Sequence, residues 1–221
     1  MKTKYFTFSL FILLTLSSCA QKSNNKAIAK KESLSVKDLS KYSVATFAAG
    51  CFWHEEALFE SIKGVKEAVS GYAGGTTTNP TYGSIEEGNT GHAETVNVYY
   101  DPSVITYSTL LKVYFAGQDP TQVNGQGNDR GTQYRSLVFY RSNNEKQLTD
   151  AYIKQLNSSG KYNNPIAVQI VPFTKFWDAE DYHQDYIFKN PNQGYVKAVS
   201  IPEIKHLQKL YPELIKPDHI Y

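Results

Sequence analysis

The chain has 221 residues, of which 41% are hydrophobic and 14% aromatic, as in an ordinary globular protein, so a packed core of one domain, two at most, is expected. Its formal charge of +2 is unevenly placed: residues 1–41 hold eight lysines against Glu32 and Asp38, a net +6, which leaves residues 42–221 at about −4. The basic excess belongs to the N-terminal segment, which excludes charge-driven nucleic-acid binding by the folded part.

That segment reads as a leader. Lys2 and Lys4 form a basic start, and Phe6 to Leu16 is an apolar run too short to span a bilayer comfortably. Leu16-Ser17-Ser18-Cys19 then resembles a bacterial lipobox. The expectation is a signal peptide over 1–18, with Cys19 becoming the lipidated N-terminus. Residues 19–41 are rich in Lys, Ser, Asn and Ala and read as a flexible tether. Such a protein is anchored to a membrane of the bacterial cell envelope, facing the periplasm or outer membrane, without spanning it.

From Tyr42 the pattern changes. Ser43 to Ala48 reads as a buried strand closed by Gly50, and Cys51 to Ile62 as a helix with Leu58, Phe59 and Ile62 at core spacing. Val65 to Tyr72 is a second strand, followed by a Gly/Thr/Asn/Pro loop to Tyr82. Glu94 to Tyr100 alternates as a strand, and Tyr107 to Ala116 is an amphipathic helix capped by Thr106. Gly117 to Gly131 is a long polar loop of the kind that often carries function. Ser136 to Tyr140 is a strand, and a helix opens at Ser142 with a capping-box pattern and runs to about Leu156. Ile166 to Val171 is a strand and Ala179 to Phe188 a helix. This order predicts an α+β two-layer sandwich with a mixed sheet, long loops forming the site, a catalytic domain over 42–200 and a C-terminal tail over 201–221.

Four stretches carry chemistry. Cys51, between Gly50 and the aromatics Phe52 and Trp53, opens a helix, where the dipole and unpaired N–H groups favour a thiolate. A lone Cys is otherwise a small buried hydrophobe. Glu94 follows Gly91-His92-Ala93 and is either a solvated strand-edge residue or a carboxyl held from water with a raised pKa, fit to donate a proton. His92 is either a base or a structural hydrogen-bond partner. Asn128-Asp129-Arg130 and Tyr134 lie in the polar loop, Tyr82 in the earlier one, and either phenol suits a substrate oxygen. His183 lies in Glu180-Asp181-Tyr182-His183-Gln184 as a stabilising or substrate-near residue. No Cys-x-x-Cys, metal-ligand spacing or phosphate loop occurs, so neither metal nor cofactor is expected.

Gly50-Cys51-Phe52-Trp53, Gly91-His92-Ala93-Glu94, Gly127-Asn128-Asp129 with Gly131-Thr132-Gln133-Tyr134-Arg135-Ser136, and Ala179-Glu180-Asp181-Tyr182-His183-Gln184-Asp185-Tyr186 together resemble the A-type peptide methionine sulfoxide reductases over residues 43–197. The resemblance implies that Cys51 attacks the sulfoxide sulfur and becomes a sulfenic acid. It implies that Phe52 and Trp53 hold the S-methyl, that Glu94 protonates the sulfoxide oxygen with Tyr82 and Tyr134 hydrogen-bonding it, and that Asp129 and His183 bind or order the substrate. The substrates would be oxidised proteins and free methionine sulfoxide. Two positions depart from the pattern. His54 stands where the family often has Gly, and Gly194-Tyr195 is followed by Val196 where many members carry a resolving cysteine. An external reductant, a thioredoxin-like protein or a small thiol, would then recycle a monomeric enzyme. The rival class is a cysteine hydrolase or acyltransferase pairing Cys51 with His183 or His92.

Overall fold

The computed structural model describes Met1 and residues 39–221. Residues 2–38, which include nearly all of the expected signal peptide, the expected lipidation site Cys19 and most of the expected tether, lie outside the described residues.

The domain is laid on a six-stranded mixed sheet, and in the polar loop a separate two-stranded ribbon pairs β4 (Gly125–Gln126) with β5 (Asp129–Arg130). The first strand, β1 (Ser43–Ala48), runs antiparallel to both β3 (Ala93–Tyr100) and β6 (Leu137–Tyr140). On the far side of β3 comes β2 (Val65–Ala73), antiparallel to it and to the short β8 (Phe176–Asp178). The one parallel pair is β6 with β7 (Gln169–Pro172). Helices α1 (Phe52–Glu60), α3 (Tyr107–Ala116) and α4 (Asn143–Ser158) pack on the sheet, α1 over β2 and β3, α3 over β1, α4 over β6 and β7. The α+β reading with a mixed sheet is therefore correct.

The core lies between these helices and the sheet. Phe47 of β1 stacks on Phe59 at 5.3 Å and on Tyr114 at 4.9 Å between ring centroids. Each such ring, fully buried, contributes about 1.5–3 kcal/mol relative to exposure. Tyr114 also donates its phenol proton to the Ala48 carbonyl at 2.9 Å, so its polar end is satisfied inside the core. The core side chains are Phe, Tyr, Leu, Ile, Val and Ala. No thioether is among them, because Met1 is the chain's single methionine.

Capping sets the helix starts as expected. Thr106 accepts from the Thr109 N–H at 3.1 Å, and Ser142 accepts from the Glu145 N–H at 3.2 Å. The second half of that capping box is shifted by one residue: the Glu145 carboxylate takes the Arg141 N–H rather than that of Ser142.

Three expectations need correction. The helix over Ala179–Phe188 is reduced to α5 (Tyr186–Lys189), because Asp185 adopts a left-handed φ of 55° and breaks it. The preceding side chains are occupied elsewhere: Gln184 accepts the Ser70 N–H and donates to the Ser70 and Ala179 carbonyls, bracing β2. Residues 176–178 add a strand that the sequence pattern did not show. Gly71 permits this pairing, since a Cβ there would lie 2.3 Å from the Phe176 ring and 2.4 Å from the Trp177 carbonyl oxygen. Finally, residues 201–221, set apart as a tail, are built into the domain. Helix α6 (Ile201–Leu210) buries Ile204 and Leu207, and Ile215 bridges back to Ile62. The Lys63 and Lys216 amides close that contact on the Leu214 and Ser61 carbonyls at 2.7 and 2.8 Å.

Candidate active site

Cys51 sits where β1 has ended and α1 begins. It is the N-cap residue of α1, with extended φ −70° and ψ 121°, not the first helical residue. Gly50 before it has φ 68°, and a Cβ there would lie 2.7 Å from Gln126 Cβ, so glycine lets the chain turn tightly under the polar loop. The Gly50 N–H donates to the Tyr134 carbonyl at 3.2 Å, tying that loop to the turn.

Glu94 comes from the neighbouring strand end. Its register opposite Tyr72 on β2 aims it at the start of α1, where its carboxylate oxygen accepts the Phe52 N–H at 2.9 Å. The residue is 2% exposed. Burial pushes its pKa up to about 8, the Phe52 N–H opposes the shift, and Glu86 and Asp129 add to it. Of the two readings of Glu94, the desolvated acid is the one realised.

The sulfur itself differs from expectation. Cys51 keeps partial exposure, yet desolvation, then Glu94, then Asp129 hold its thiol well above the usual range. The Trp53 and His54 amides pull toward thiolate, but neither completes a capping hydrogen bond with the sulfur. The helix-end effect is present and outweighed, first by burial of the sulfur and then by the Glu94 and Asp129 carboxyls.

A cavity of about 230 Å³ opens beside Cys51. Phe52, Trp53, Tyr82, Tyr134 and Glu94 line it, and Asp129 and Tyr195 complete it. The rings are held firmly. Phe52 lies 6.5 Å from Tyr82 in a stacked arrangement, and Trp53 stacks on Tyr186 at 3.7 Å. Tyr82 is fixed by α2 (Tyr82–Glu86), which Thr81 caps with a full capping box, and its N–H donates to Glu180 at 2.9 Å. Tyr134 donates to Glu86 at 2.9 Å, and Tyr195 donates to Asp129 at 2.6 Å. Sequence reasoning missed Tyr195 and Glu86: Tyr195 is carried in from just before the C-terminal helices, and no local pattern marks it.

His183 does not line this cavity. It is 1% exposed and stands one layer back, where its Nδ1 accepts the Trp53 indole N–H at 3.0 Å. It orients the aromatic wall. His92 is structural: its Nδ1 accepts the Gly75 N–H at 3.1 Å and its Nε2 donates to the Thr77 carbonyl at 2.8 Å. His92 is committed at both nitrogens, and the acceptor nitrogen of His183 is taken by Trp53, so neither has a free basic nitrogen for Cys51 and the hydrolase alternative loses its partner. Away from the site, Glu56, Glu60 and Asp185 bring carboxylate oxygens within 4.8 Å of one another, in a group that also draws Lys189 to 3.7 Å from Asp185.

The site thus brings a nucleophilic sulfur, a neutral acid, phenols and fixed aromatic faces together around one small cavity. It suits a small group that is polar at one atom and apolar beside it.

Comparison with known proteins gives the same direction. Residues 43–214 match the family model for peptide methionine sulfoxide reductase. The chain is 45% identical over 172 residues to a peptide methionine sulfoxide reductase of Deinococcus radiodurans, covering 78% of this chain and 84% of that one. It is 44% identical over 173 residues to one of Natronomonas pharaonis, covering 78% and 97%. Among solved structures it resembles reduced Mxr1 from Saccharomyces cerevisiae, with TM-score 0.64 and 37% identity over 70% of this chain and 88% of that one. Methionine sulfoxide reductase A of Corynebacterium diphtheriae aligns with TM-score 0.61 and 36% identity, covering 68% and 76%.

Proposed function

The chain belongs to the peptide methionine sulfoxide reductase family, and from that premise we propose how its own residues carry out the reaction. The enzyme reduces methionine-S-sulfoxide, in oxidised proteins and as the free amino acid, to methionine, at the expense of thiols. One observation carries the assignment of roles: a carboxylic acid that stays protonated to about pH 8 shares one small cavity with Cys51 and two aromatic walls.

Phe52 and Trp53 receive the S-methyl. Glu94 gives its proton to the sulfoxide oxygen as Cys51 bonds to the sulfoxide sulfur, and Tyr82 and Tyr134 hydrogen-bond that oxygen. The balance is simple: a thiol and a sulfoxide become a sulfenic acid on Cys51 and a thioether. Asp129, held by Tyr195, borders the substrate side. Cys19 is the chain's only other cysteine and belongs to the leader. Recycling of Cys51 therefore falls to an external thiol, either a thioredoxin-like protein or a small molecule.

We also propose that Cys19 carries lipid and tethers a monomeric enzyme to the bacterial cell envelope. Lys2, Lys4, the Phe6–Leu16 run and Leu16-Ser17-Ser18-Cys19 support this reading. Among the described residues, no helix is long and apolar enough to cross a membrane. Metabolic labelling with a fatty-acid probe tests the anchor: the wild type takes up label and Cys19→Ala does not. The activity is tested with racemic methionine sulfoxide and dithiothreitol. Consumption of one epimer with one free methionine per sulfoxide is expected, and no turnover by protein with intact Cys51 would refute the assignment.

A further inference from the structure

Cys51 borders a second cavity, of about 470 Å³, which shares Cys51, Asp129 and Tyr195 with the first and otherwise has a lining of its own. His54 enters it from α1, and Val199, Glu203 and His206 enter from the C-terminal helices. His54 is 6% exposed, and neither ring nitrogen completes a hydrogen bond within the protein. Glu203 comes to 3.6 Å from Nδ1, and the Gly117 and Ser200 carbonyls face the ring without reaching bonding geometry. Burial keeps this imidazole neutral, with its pKa lowered to about 4. A buried polar group left unpaired costs about 1–3 kcal/mol. Placed on a cavity wall beside a reactive sulfur, it marks a seat for a hydrogen-bonding visitor.

We propose that this second cavity admits the thiol that recycles Cys51, and that His54 receives its S–H. The proposal rests on the reading of Cys51 as the sulfoxide-reducing nucleophile. After the first stage the oxygen sits on Cys51 and is held on the side of Glu94, Tyr82 and Tyr134. Displacement at sulfur runs in line, so the entering sulfur must come from away from that oxygen. The second cavity meets Cys51 there, because none of those three oxygen-binding residues lines it. The visiting thiol yields its proton, an S–S bond forms to Cys51, the S–O bond breaks, and the oxygen leaves as water. A second thiol then cleaves the mixed disulfide, returning Cys51 as thiol and releasing an external disulfide. The two thiols supply the two electrons.

The lining also selects among thiols. Asp119, Asp129 and Glu203 surround the cavity with carboxyls, so it admits neutral or cationic thiols ahead of anionic ones.

Two-stage kinetics test this. Methionine release by reduced enzyme without a donor reports the first stage. Loss of dimedone-reactive sulfenic acid after adding a donor reports the second. Val199→Trp, which fills the cavity at its rim, is expected to lower the ratio of second-stage to first-stage rate tenfold or more. His54→Phe, which keeps a ring and removes both nitrogens, gives the same readout should the larger side chain disturb folding. Wild-type enzyme should be recycled faster by cysteamine than by mercaptoacetate. A lowered ratio with dithiothreitol alone assigns the cavity to small thiols, and a lowered ratio with reduced thioredoxin as well assigns it to protein thiols too. An unchanged ratio in both variants with every donor, or equal recycling by cysteamine and mercaptoacetate, overturns the proposal. Absence of methionine release from wild type would instead refute the reductase reading itself.

Discussion

At neutral pH both Cys51 and Glu94 hold a proton, because burial raises the cost of charging each, and nearby carboxyls, Glu94 and Asp129 for the thiol and Glu86 and Asp129 for the acid, add to it. The acid is therefore ready before substrate arrives, and the first stage slows as pH rises through about 8, where Glu94 ionises. Glu94→Gln should lower the rate of methionine release about 100-fold or more at pH 7. Above pH 8 the gap to wild type should narrow, since wild type loses the same proton; a gap that widens there would rule out this role. Stability follows the same sign. The folded pKa is raised to about 8 from an ordinary 4.5, so the folded chain binds the extra proton between those values. The stabilisation is complete below pH 4.5 and is lost as pH rises through about 8. Urea midpoints at pH 5 and pH 9 should therefore converge in Glu94→Gln and differ in wild type. His183→Leu strips the Trp53 indole of its acceptor, and a severalfold rise in KM with little change in kcat would identify a positioning role. Cys51, Phe52, Trp53, Glu94, Tyr82, Tyr134 and Asp129 were legible in the sequence because motif residues gather at strand ends and loops, and all seven line one cavity. The state of the thiol was not legible: local sequence shows a helix end, while the burial that outweighs it, and the carboxyls that add to it from β3 and from the polar loop, are set by the fold.

Among the elements, those with their own chemical punctuation were readable. Thr106 and Ser142 announce α3 and α4, and both cap as the sequence indicates. Thr106→Ala should cost about 1 kcal/mol in urea unfolding and leave methionine release as in wild type, since this cap lies away from both cavities. The stretch from Phe176 to Lys189 was misread because its side chains serve distant partners. Glu180 accepts the Tyr72 phenol at 2.8 Å and the Tyr82 N–H at 2.9 Å, and Gln184 grips β2. Those bonds replace the helix that the residue pattern favours. Strand β8 is three residues long, below the length at which alternation says anything, and Gly71 makes room for it from another strand.

At the scale of the molecule, residues 201–221 close the domain and help to wall the second cavity. Leu207 is 1% exposed against the core, so Leu207→Ala should destabilise by about 2–5 kcal/mol, read from the urea midpoint. A chain ending at Ser200 should lose cooperative unfolding, because Ile204, Leu207 and Ile215 would all be missing from their contacts. This segment looked like a tail because α6 carries two lysines and a histidine among its core residues and no strand announces it. The interior that it helps to seal holds aromatic and aliphatic hydrocarbon and no sulfur beyond the reactive one at its edge. Oxidants that turn methionine into this enzyme's substrate attack thioether side chains. With Met1 its single methionine, the repair catalyst carries almost none of the lesion it mends, and its packing survives the conditions that create its work.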